Sequence, residues 1–226
     1  MLERTICKTL VLLFLSVPAL GAAGFLGGYS GNIVTPDAVI TPAGTWELSF
    51  HEFFDVQDND ITSIGLQYGL MPNLEVGVSL LDNDDSETVF NAKLRLLPET
   101  PGRPSIAVGA FDVGGSANFI NDDPSFYVLI SKNIARTATE IAGKPSKPLG
   151  LTVGFGSGLF DGVFAALDWT LQERLSIMAE FVDEGFRGDS LFNLGARFAI
   201  TDIIRVDAAA IDFEDFAAGA SFRTAF

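Results

Sequence analysis

Apolar and polar residues alternate along most of this chain. The alternation is clearest in residues 64–70, 74–80, 90–96 and 192–198. A period of two residues is typical of a β-strand with one apolar and one polar face. With the less regular stretches included, the sequence predicts twelve strands. Each has about ten residues or slightly fewer, close to the length that a tilted membrane strand requires.

The polar faces of the predicted strands carry ten charged residues, five acidic and five basic. Burying them in an apolar core would be prohibitive, whereas charges that line a hydrated lumen can pair across strands. The pattern therefore favours a membrane barrel over a soluble β-sandwich or barrel, which also alternates. The charges predicted to face the lumen are Glu47, Glu75, Lys93, Arg95, Asp168, Glu180, Arg197, Arg205, Asp207 and Arg223.

The connections between the predicted strands differ in charge. Odd-numbered connections hold seventeen acidic residues and one basic residue, whereas even-numbered ones hold four acidic and six basic residues. In an up-and-down antiparallel barrel, connections of one parity lie at one end. We therefore predict such a barrel, with acidic connections facing the outside of the cell and both mature termini facing the periplasm.

The first residues are typical of a secretory signal peptide. Arg4 and Lys8 precede the apolar run 10–15, and small residues follow up to Ala23, where we expect cleavage. The alternative is a membrane anchor, but the run is too short and Pro18 follows it. We therefore divide the chain into a signal peptide (1–23), a Gly/Pro-rich periplasmic segment leading into the barrel (24–44) and an outer-membrane β-barrel (45–226).

The composition agrees with this division. The 226 residues are 48% hydrophobic, yet the formal net charge is −15, so apolar and acidic residues are expected on different surfaces. Removing residues 1–23 takes away Glu3, Arg4 and Lys8 and leaves a net charge of −16. It also removes Cys7, the only cysteine, so no disulfide or thiol chemistry is expected in the mature chain.

The chain ends in a strand with the same alternation, residues 216–226. A terminal Phe with aromatic residues at alternate positions resembles the ending of outer-membrane proteins as a class, which the barrel-assembly machinery recognises. We therefore expect Phe222 and Phe226 to form an assembly signal. The last strand is expected to pair with the first, which would leave no exposed edge.

The candidate catalytic motifs are weak. His51 shares a predicted strand face with Ser49 and Glu47, but residues two apart on a strand lie roughly 7 Å apart, too far for a direct hydrogen bond. Residues 188–191 (GDSL) are similar to a serine esterase motif, but the only histidine lies far upstream. We expect no enzyme activity and no catalytic residue. The sequence also predicts no cofactor, no metal site and no nucleic-acid partner.

Two groups of residues resemble the YjbH-like outer-membrane proteins. Residues 28–38 (GYSGNIVTPDA) and 42–45 (PAGT) are similar to the opening segment of that family, and residues 68–78 and 192–198 are similar to its barrel hairpins. The resemblance covers most of the mature chain. It implies an association with exopolysaccharide production or export in Gram-negative bacteria. Because the best-known members are several times longer, this chain would be a minimal, single-barrel relative.

The sequence therefore predicts an outer-membrane β-barrel protein that is accessory to exopolysaccharide production or export. Paired charges together with Phe111 and Met178 are expected to fill much of a narrow twelve-stranded barrel, which favours this role over an open porin. A small channel or transporter and a lipid-modifying enzyme are the alternatives. The expected partners are outer-membrane lipids, lipopolysaccharide, the barrel-assembly machinery and polysaccharide export components.

Overall fold

The computed structural model describes residues 22–56, 59–83, 85–115, 123–134, 148–185 and 188–225. Within these ranges, twelve antiparallel strands form one closed barrel. Each strand pairs with its neighbours in sequence, and the last strand pairs with the first. The predicted twelve-stranded, up-and-down barrel is therefore confirmed. The predicted signal peptide, apart from Ala22 and Ala23, and Phe226 lie outside the described residues.

A two-residue ladder precedes the barrel and consists of β1 (Ala22–Ala23) and β2 (Ser30–Gly31). A 3-10 turn, Gly158–Phe160, precedes the eighth barrel strand. No helix in the described part of the chain is long and apolar enough to cross a membrane. The barrel strands are β3 (Thr45–Val56), β4 (Asn59–Met71), β5 (Leu74–Asn83), β6 (Asp85–Leu97), β7 (Ser105–Phe111), β8 (Ser125–Asn133), β9 (Leu149–Gly156), β10 (Asp161–Gln172), β11 (Leu175–Glu184), β12 (Leu191–Ala199), β13 (Ile204–Ile211) and β14 (Asp215–Ala225).

The outer face of the barrel is apolar because alternate side chains of each strand point outward. On β12, Phe192, Leu194 and Phe198 are 46%, 43% and 45% exposed, whereas Asn193 and Arg197 between them are buried. Large apolar side chains are exposed in this way around the whole barrel. A continuous apolar surface of this kind is unfavourable in water and is accommodated by the hydrocarbon of a bilayer.

The two ends of the barrel differ in charge. We call the end that holds Thr45 and Ala225 the terminal end, and the opposite end, where the acidic connections lie, the acidic end. The connection between β13 and β14 belongs to the acidic end and carries Asp212 and Glu214. Because neighbouring strands are antiparallel, successive connections fall alternately at the two ends, as the charge pattern predicts.

Residues that precede the barrel in sequence lie inside it. The sequence predicts a periplasmic segment over residues 24–44, but in the structure residues 23–36 are all buried and hydrogen-bond to side chains of the inner wall. The chain doubles back through the β1–β2 ladder before it reaches Thr45. We call residues 23–41 the luminal segment. The prediction missed it because the segment has no alternation of polar and apolar residues that would place it against the barrel wall.

Apolar side chains fill the lumen toward the acidic end. Phe160 is central, with ring centroids 6.3 Å from Phe111 and 5.7 Å from Phe164. The sequence predicts a polar inward face and places residues 157–162 in one of the acidic connections. Instead, the turn inserts Leu159 and Phe160 into the barrel, and the inward charges lie toward the terminal end. We call this group the apolar cluster: Phe53, Leu81, Val89, Phe111, Leu159, Phe160, Phe164, Val182 and Leu191.

Candidate functional site

Three glutamates of the inner wall hold the luminal segment. Glu47 on β3, Glu75 on β5 and Glu180 on β11 are 0%, 1% and 1% exposed. Each accepts a hydrogen bond from a backbone N–H of the segment. A backbone N–H buried without a partner costs about 1–3 kcal/mol, and a buried carboxylate without partners costs more. The glutamates and the segment therefore satisfy each other.

Glu180 binds the turn formed by residues 33–35. Its Oε1 accepts from the backbone N–H of Ile33 at 2.7 Å and from the backbone N–H and hydroxyl of Thr35 at 3.0 and 2.7 Å. Its Oε2 accepts from the backbone N–H of Val34 at 2.9 Å and from the side-chain amide of Asn193 at 3.3 Å. Five donors around one carboxylate, four of them from the segment, fix the position of this turn.

Glu75 and Lys93 form a second anchor. Glu75 accepts from the backbone N–H of Ser30 at 2.8 Å and from that of Thr41 at 2.7 Å, so it joins two distant parts of the segment. Lys93 lies 3.1 Å from Glu75 and donates to the backbone carbonyl of Ser30 at 2.7 Å. Both charges come from the inner wall, on the adjacent strands β5 and β6.

Glu47 and Arg223 form the third anchor. Glu47 accepts from the backbone N–H of Ala23 at 2.9 Å through Oε1 and from Arg223 Nε at 2.6 Å through Oε2. Arg205 lies 3.6 Å from the same carboxylate. Strand closure produces this cluster, because Glu47 and Arg223 are direct cross-strand partners on β3 and β14.

Arg197 binds the carbonyl groups of the luminal segment. It donates to Asp207 at 2.5 Å, to the carbonyl of Ala23 at 3.0 Å and to that of Asn32 at 3.1 Å. A third carbonyl, that of Gly31, lies at 3.3 Å. Acidic residues thus bind the N–H groups of the segment, and a guanidinium binds its carbonyl groups.

The two remaining predicted charges lie nearer the terminal end. Arg95 donates to the carbonyl of Pro72 at 2.7 Å, next to the connection between β4 and β5. Asp168 is half-buried on β10 and interacts with Arg197 and Ser176. All ten predicted charges therefore lie on the inner side of the wall, and five of them hydrogen-bond directly to the luminal segment.

Glycines of the wall make room for the segment. A Cβ on Gly77 would lie 1.9 Å from the carbonyl oxygen of Gly28, and one on Gly65 would lie 2.5 Å from the Cα of Gly27. Both segment glycines have positive φ angles, 71° at Gly27 and 67° at Gly28, which a glycine adopts without strain. The segment and the wall therefore meet backbone to backbone.

His51 is enclosed in the lumen. It is fully buried, its ring stacks on Phe25 of the luminal segment at a centroid distance of 4.5 Å, and Nε2 lies 3.3 Å from Asp207. Ser49 instead donates to the carbonyl of Gly65 at 3.5 Å. In the GDSL stretch, Leu191 is buried in the apolar cluster. In the part of the chain that the structure describes, no group of three or more His, Cys, Asp or Glu could hold a metal ion.

Asp37 is the acidic residue of the luminal segment. Burial raises the pKa of the Asp37 carboxyl above its ordinary value, and Lys93, 3.6 Å away, acts in the opposite direction. The backbone N–H of Val39 also donates to Asp37, at 2.9 Å. Because Lys93 is shared with Glu75, one ammonium group serves two carboxylates.

A cavity of about 390 Å³ remains at the terminal end of the lumen. It lies between the luminal segment and the inner faces of β8–β13, and Asp37, Asp168 and Arg205 line it. From the acidic end to the terminal end, the lumen therefore holds the apolar cluster, the luminal segment and a polar recess.

The alternation in the sequence indicates the charged wall but not what the wall binds. The sequence predicts that these charges pair across strands around water, and Glu47–Arg223 and Glu75–Lys93 do pair. It does not predict that the same groups bind backbone atoms of residues 23–41. Two signals were present: the paired glycines at 27–28, and Thr35-Pro36 within the stretch that carries the family resemblance.

Two solved outer-membrane barrels are similar to this fold. The KdgM porin matches over 80% of this chain and 99% of its own, with a TM-score of 0.54 and 10% identity. Omp33 of Acinetobacter baumannii matches over 80% of this chain and 98% of its own, with a TM-score of 0.51 and 14% identity. This chain has the closed β-barrel fold of outer-membrane proteins. No protein-family model and no curated protein matches the sequence.

Proposed function

We propose that this outer-membrane barrel is a closed, accessory component of exopolysaccharide production or export. The observation that carries the proposal is the filled lumen. The luminal segment occupies the middle of the lumen, and the apolar cluster, with Phe111 and Phe160 only 2% and 0% exposed, fills it toward the acidic end. A general porin requires a continuous water-filled passage, and this arrangement favours a role without one.

The link to exopolysaccharide rests on the resemblance to YjbH-like proteins. The residues that carry the opening part of this resemblance are 28–38 and 42–45. Residues 28–38 bind the inner wall, and residues 42–45 lead into β3. The stretch that resembles the family is therefore the one that closes this barrel, which supports an accessory role rather than bulk transport.

Two measurements test the two parts of this proposal. The purified protein in planar lipid bilayers should show little conductance, and a deletion strain should secrete less exopolysaccharide until the gene is restored. Steady, porin-like conductance of the purified wild-type protein would contradict the closed lumen. Unchanged exopolysaccharide in the deletion strain, under conditions in which its parent secretes it, would exclude the export role.

A small, gated channel is the second candidate. The recess at the terminal end favours it, because only the luminal segment and the apolar cluster separate this recess from the acidic end. The backbone N–H of Ala38 donates to the Ser131 hydroxyl at 2.9 Å, so cysteines at these two positions could tether the segment to the wall. The only natural cysteine of the chain, Cys7, lies in the predicted signal peptide.

The conductance of the tethered protein distinguishes a gated channel from a permanently closed barrel. For a gated channel, oxidation of the Ala38→Cys/Ser131→Cys variant should abolish conductance, and reduction should restore it. For a permanently closed barrel, conductance should stay low in both states. The single variant Ser131→Cys is the control, and it should not respond to oxidation in either case.

We propose no catalytic role for His51. Its ring is covered by Phe25, and Asp207, its acidic neighbour, is also bound by Arg197. A His51→Ala strain should therefore have unchanged lipid A and phospholipids, measured by mass spectrometry at equal levels of the barrel in the outer membrane. A lipid change that appears with the wild-type gene and disappears in this strain would instead support the lipid-modifying enzyme.

We also propose contacts for the two surfaces of the barrel. The acidic connections would face the outside and approach lipopolysaccharide through bridging divalent cations, since both surfaces are anionic. Phe222, 43% exposed on β14, and Phe226 would contact the barrel-assembly machinery. Deleting Phe226 should lower the amount of inserted barrel more than its heat stability, and normal insertion at native expression would contradict that role.

A further inference from the structure

The recess at the terminal end has the size of a small-molecule site. Its volume of about 390 Å³ falls within the range of roughly 300–1,000 Å³ that is typical of ligand pockets. One side is the luminal segment, through Asn32, Asp37 and Val39, and the other side is the barrel wall. A molecule bound here would therefore touch both.

Hydroxyl groups from neighbouring strands line the wall of the recess. Ser131 and Thr152 lie 2.7 Å apart on β8 and β9, and Thr170 and Ser176 lie 3.3 Å apart on β10 and β11. A hydroxyl group can both donate and accept a hydrogen bond. This part of the wall can therefore bind a ligand that presents donors and acceptors in alternation.

Two groups of opposite charge flank these hydroxyls. Asp168 is half-buried and interacts with Arg197. The guanidinium of Arg197 donates a hydrogen bond to Asp207 at 2.5 Å. Arg205 lies 3.6 Å from Glu47, a carboxylate that Arg223 binds more closely. Asp168, which also accepts a hydrogen bond from Ser176, can accept further hydrogen bonds from a ligand, and Arg205 can donate them.

The lining as a whole is electrically balanced. Among the described residues of the lining, four acidic side chains, Asp37, Glu99, Asp168 and Glu173, stand against four basic ones, and none is aromatic. A balanced wall gives an anion or a cation no net attraction, and the lack of rings removes the stacking surface that an aromatic ligand would use. The basic residues are Lys132, Arg174, Arg197 and Arg205.

We propose that this recess binds a short, uncharged, hydroxyl-rich molecule, a neutral saccharide of about two units. Sugar hydroxyls donate to Asp168, accept from Arg205 and exchange hydrogen bonds with the hydroxyl band, which is formed by Ser131, Thr152, Thr170 and Ser176. A small zwitterion could also pair with Asp168 and Arg205, but it would leave most of the volume and the hydroxyl band unused. The link between this binding and export rests on the proposed function, whereas the binding itself can be measured separately.

Gly150 allows the recess to be filled without disturbing the wall. It lines the recess, and a Cβ at this position would lie 3.8 Å from its nearest neighbour. The variant Gly150→Phe therefore places a ring in the recess. The matched control is Gly102→Phe, because a Cβ on Gly102 meets nothing within 4 Å and Gly102 lies outside the lining.

The probes are cellobiose and maltose, with cellobionate as the anionic comparison and glycylglycine as the zwitterion. The purified full barrel is kept in a detergent without a sugar headgroup, and binding is measured by saturation-transfer NMR and calorimetry. We expect saturable binding of a neutral disaccharide, weakened at least tenfold by Gly150→Phe and about fivefold by Asp168→Asn, and unchanged by Gly102→Phe. Unaltered heat-modifiable gel mobility shows that each variant is folded.

Several results would overturn the inference. These are absence of binding by both neutral disaccharides, equal binding by Gly150→Phe, or tighter binding of cellobionate or glycylglycine. The outcome is independent of the export test. Disaccharide binding by a protein whose deletion leaves exopolysaccharide unchanged would support this site and exclude the export role. Absence of disaccharide binding by a protein whose deletion lowers exopolysaccharide would exclude this site and support the export role.

Discussion

Glu180 illustrates how a single buried carboxylate directs the path of the chain. It lies on β11, yet four of its five hydrogen bonds come from residues 33–35, about 145 positions earlier in the sequence. A charged acceptor buried in a barrel needs donors, and the three consecutive backbone N–H groups of this turn supply them. The remaining donor, Asn193, comes from the adjacent strand.

Replacing Glu180 by Gln should loosen the luminal segment. The amide keeps the shape of the carboxylate but presents donors where Val34 and Asn193 also donate, which should cost about 2–3 kcal/mol. Limited proteolysis in detergent micelles, read by mass spectrometry, should show faster cleavage within residues 23–41. The exposed carboxylate of Asp202 provides the control variant, Asp202→Asn, and equal cleavage rates for the two variants would contradict the role of Glu180.

Asp37 should give the segment a pH dependence. Because burial raises its pKa above the ordinary value of 3.8, the folded state holds the proton more tightly than the unfolded state. The contribution of Asp37 to stability is therefore complete below pH 3.8 and declines as the pH rises through the raised pKa. Asp37→Asn should protect the segment from proteolysis better than wild type at pH 7, and the difference should disappear near pH 4. A difference independent of pH would contradict this assignment.

At the scale of elements, the luminal segment and the turn at 158–160 both fill the lumen, but they are held by different interactions. The segment is held by hydrogen bonds and ion pairs, since its backbone lies against charged residues of β3, β5, β6, β11 and β12. The turn is held by apolar contacts of Phe160 and by one hydrogen bond, from the backbone N–H of Leu159 to Ser125 at 2.8 Å. The segment also packs against the apolar cluster, because the ring centroids of Phe25 and Tyr29 lie 6.3 Å from Phe53 and 5.7 Å from Phe111.

Gly77→Ala should displace the luminal segment while leaving the barrel closed. The new Cβ would meet the carbonyl oxygen of Gly28 at 1.9 Å, and overpacking of this kind costs typically about 1–3 kcal/mol. The yield of the Ala38–Ser131 cysteine tether should fall in the Gly77→Ala background. In the Gly150→Ala background, where the recess accepts a Cβ, the yield should not change. Equal yields in both backgrounds would mean that the segment does not rely on this close approach.

At the scale of the whole molecule, one closed sheet separates two environments. Its outer side exposes residues such as Phe90 and Phe155, at 57% and 59%, whereas its inner side buries Glu47, Lys93 and Asp207. The hydrocarbon of the bilayer requires the apolar outer surface, and the luminal segment requires the polar inner surface. The same alternation thus serves both surfaces, and the charge of the connections distinguishes the two ends.

The orientation in the membrane can be tested with single cysteines. Val113 lies at the acidic end and is 52% exposed, and Asp202 is an exposed residue of the terminal end. If the acidic end faces outside, a membrane-impermeant maleimide should label Val113→Cys on intact cells and should label Asp202→Cys only after the outer membrane is permeabilised. The reverse pattern would invert the proposed orientation.

The sequence by itself determined the barrel. Alternation is a local property of each strand, and the parity of charged connections is a simple count, so the twelve strands, their order and the inward position of charges such as Glu180 and Arg197 could be predicted. Only the tertiary structure decided what fills the lumen. The donors that satisfy Glu180 lie on a stretch without periodicity, and Phe160 enters from a short connection. Such contacts arise only when the closed sheet brings together buried groups that need partners and are far apart in the chain.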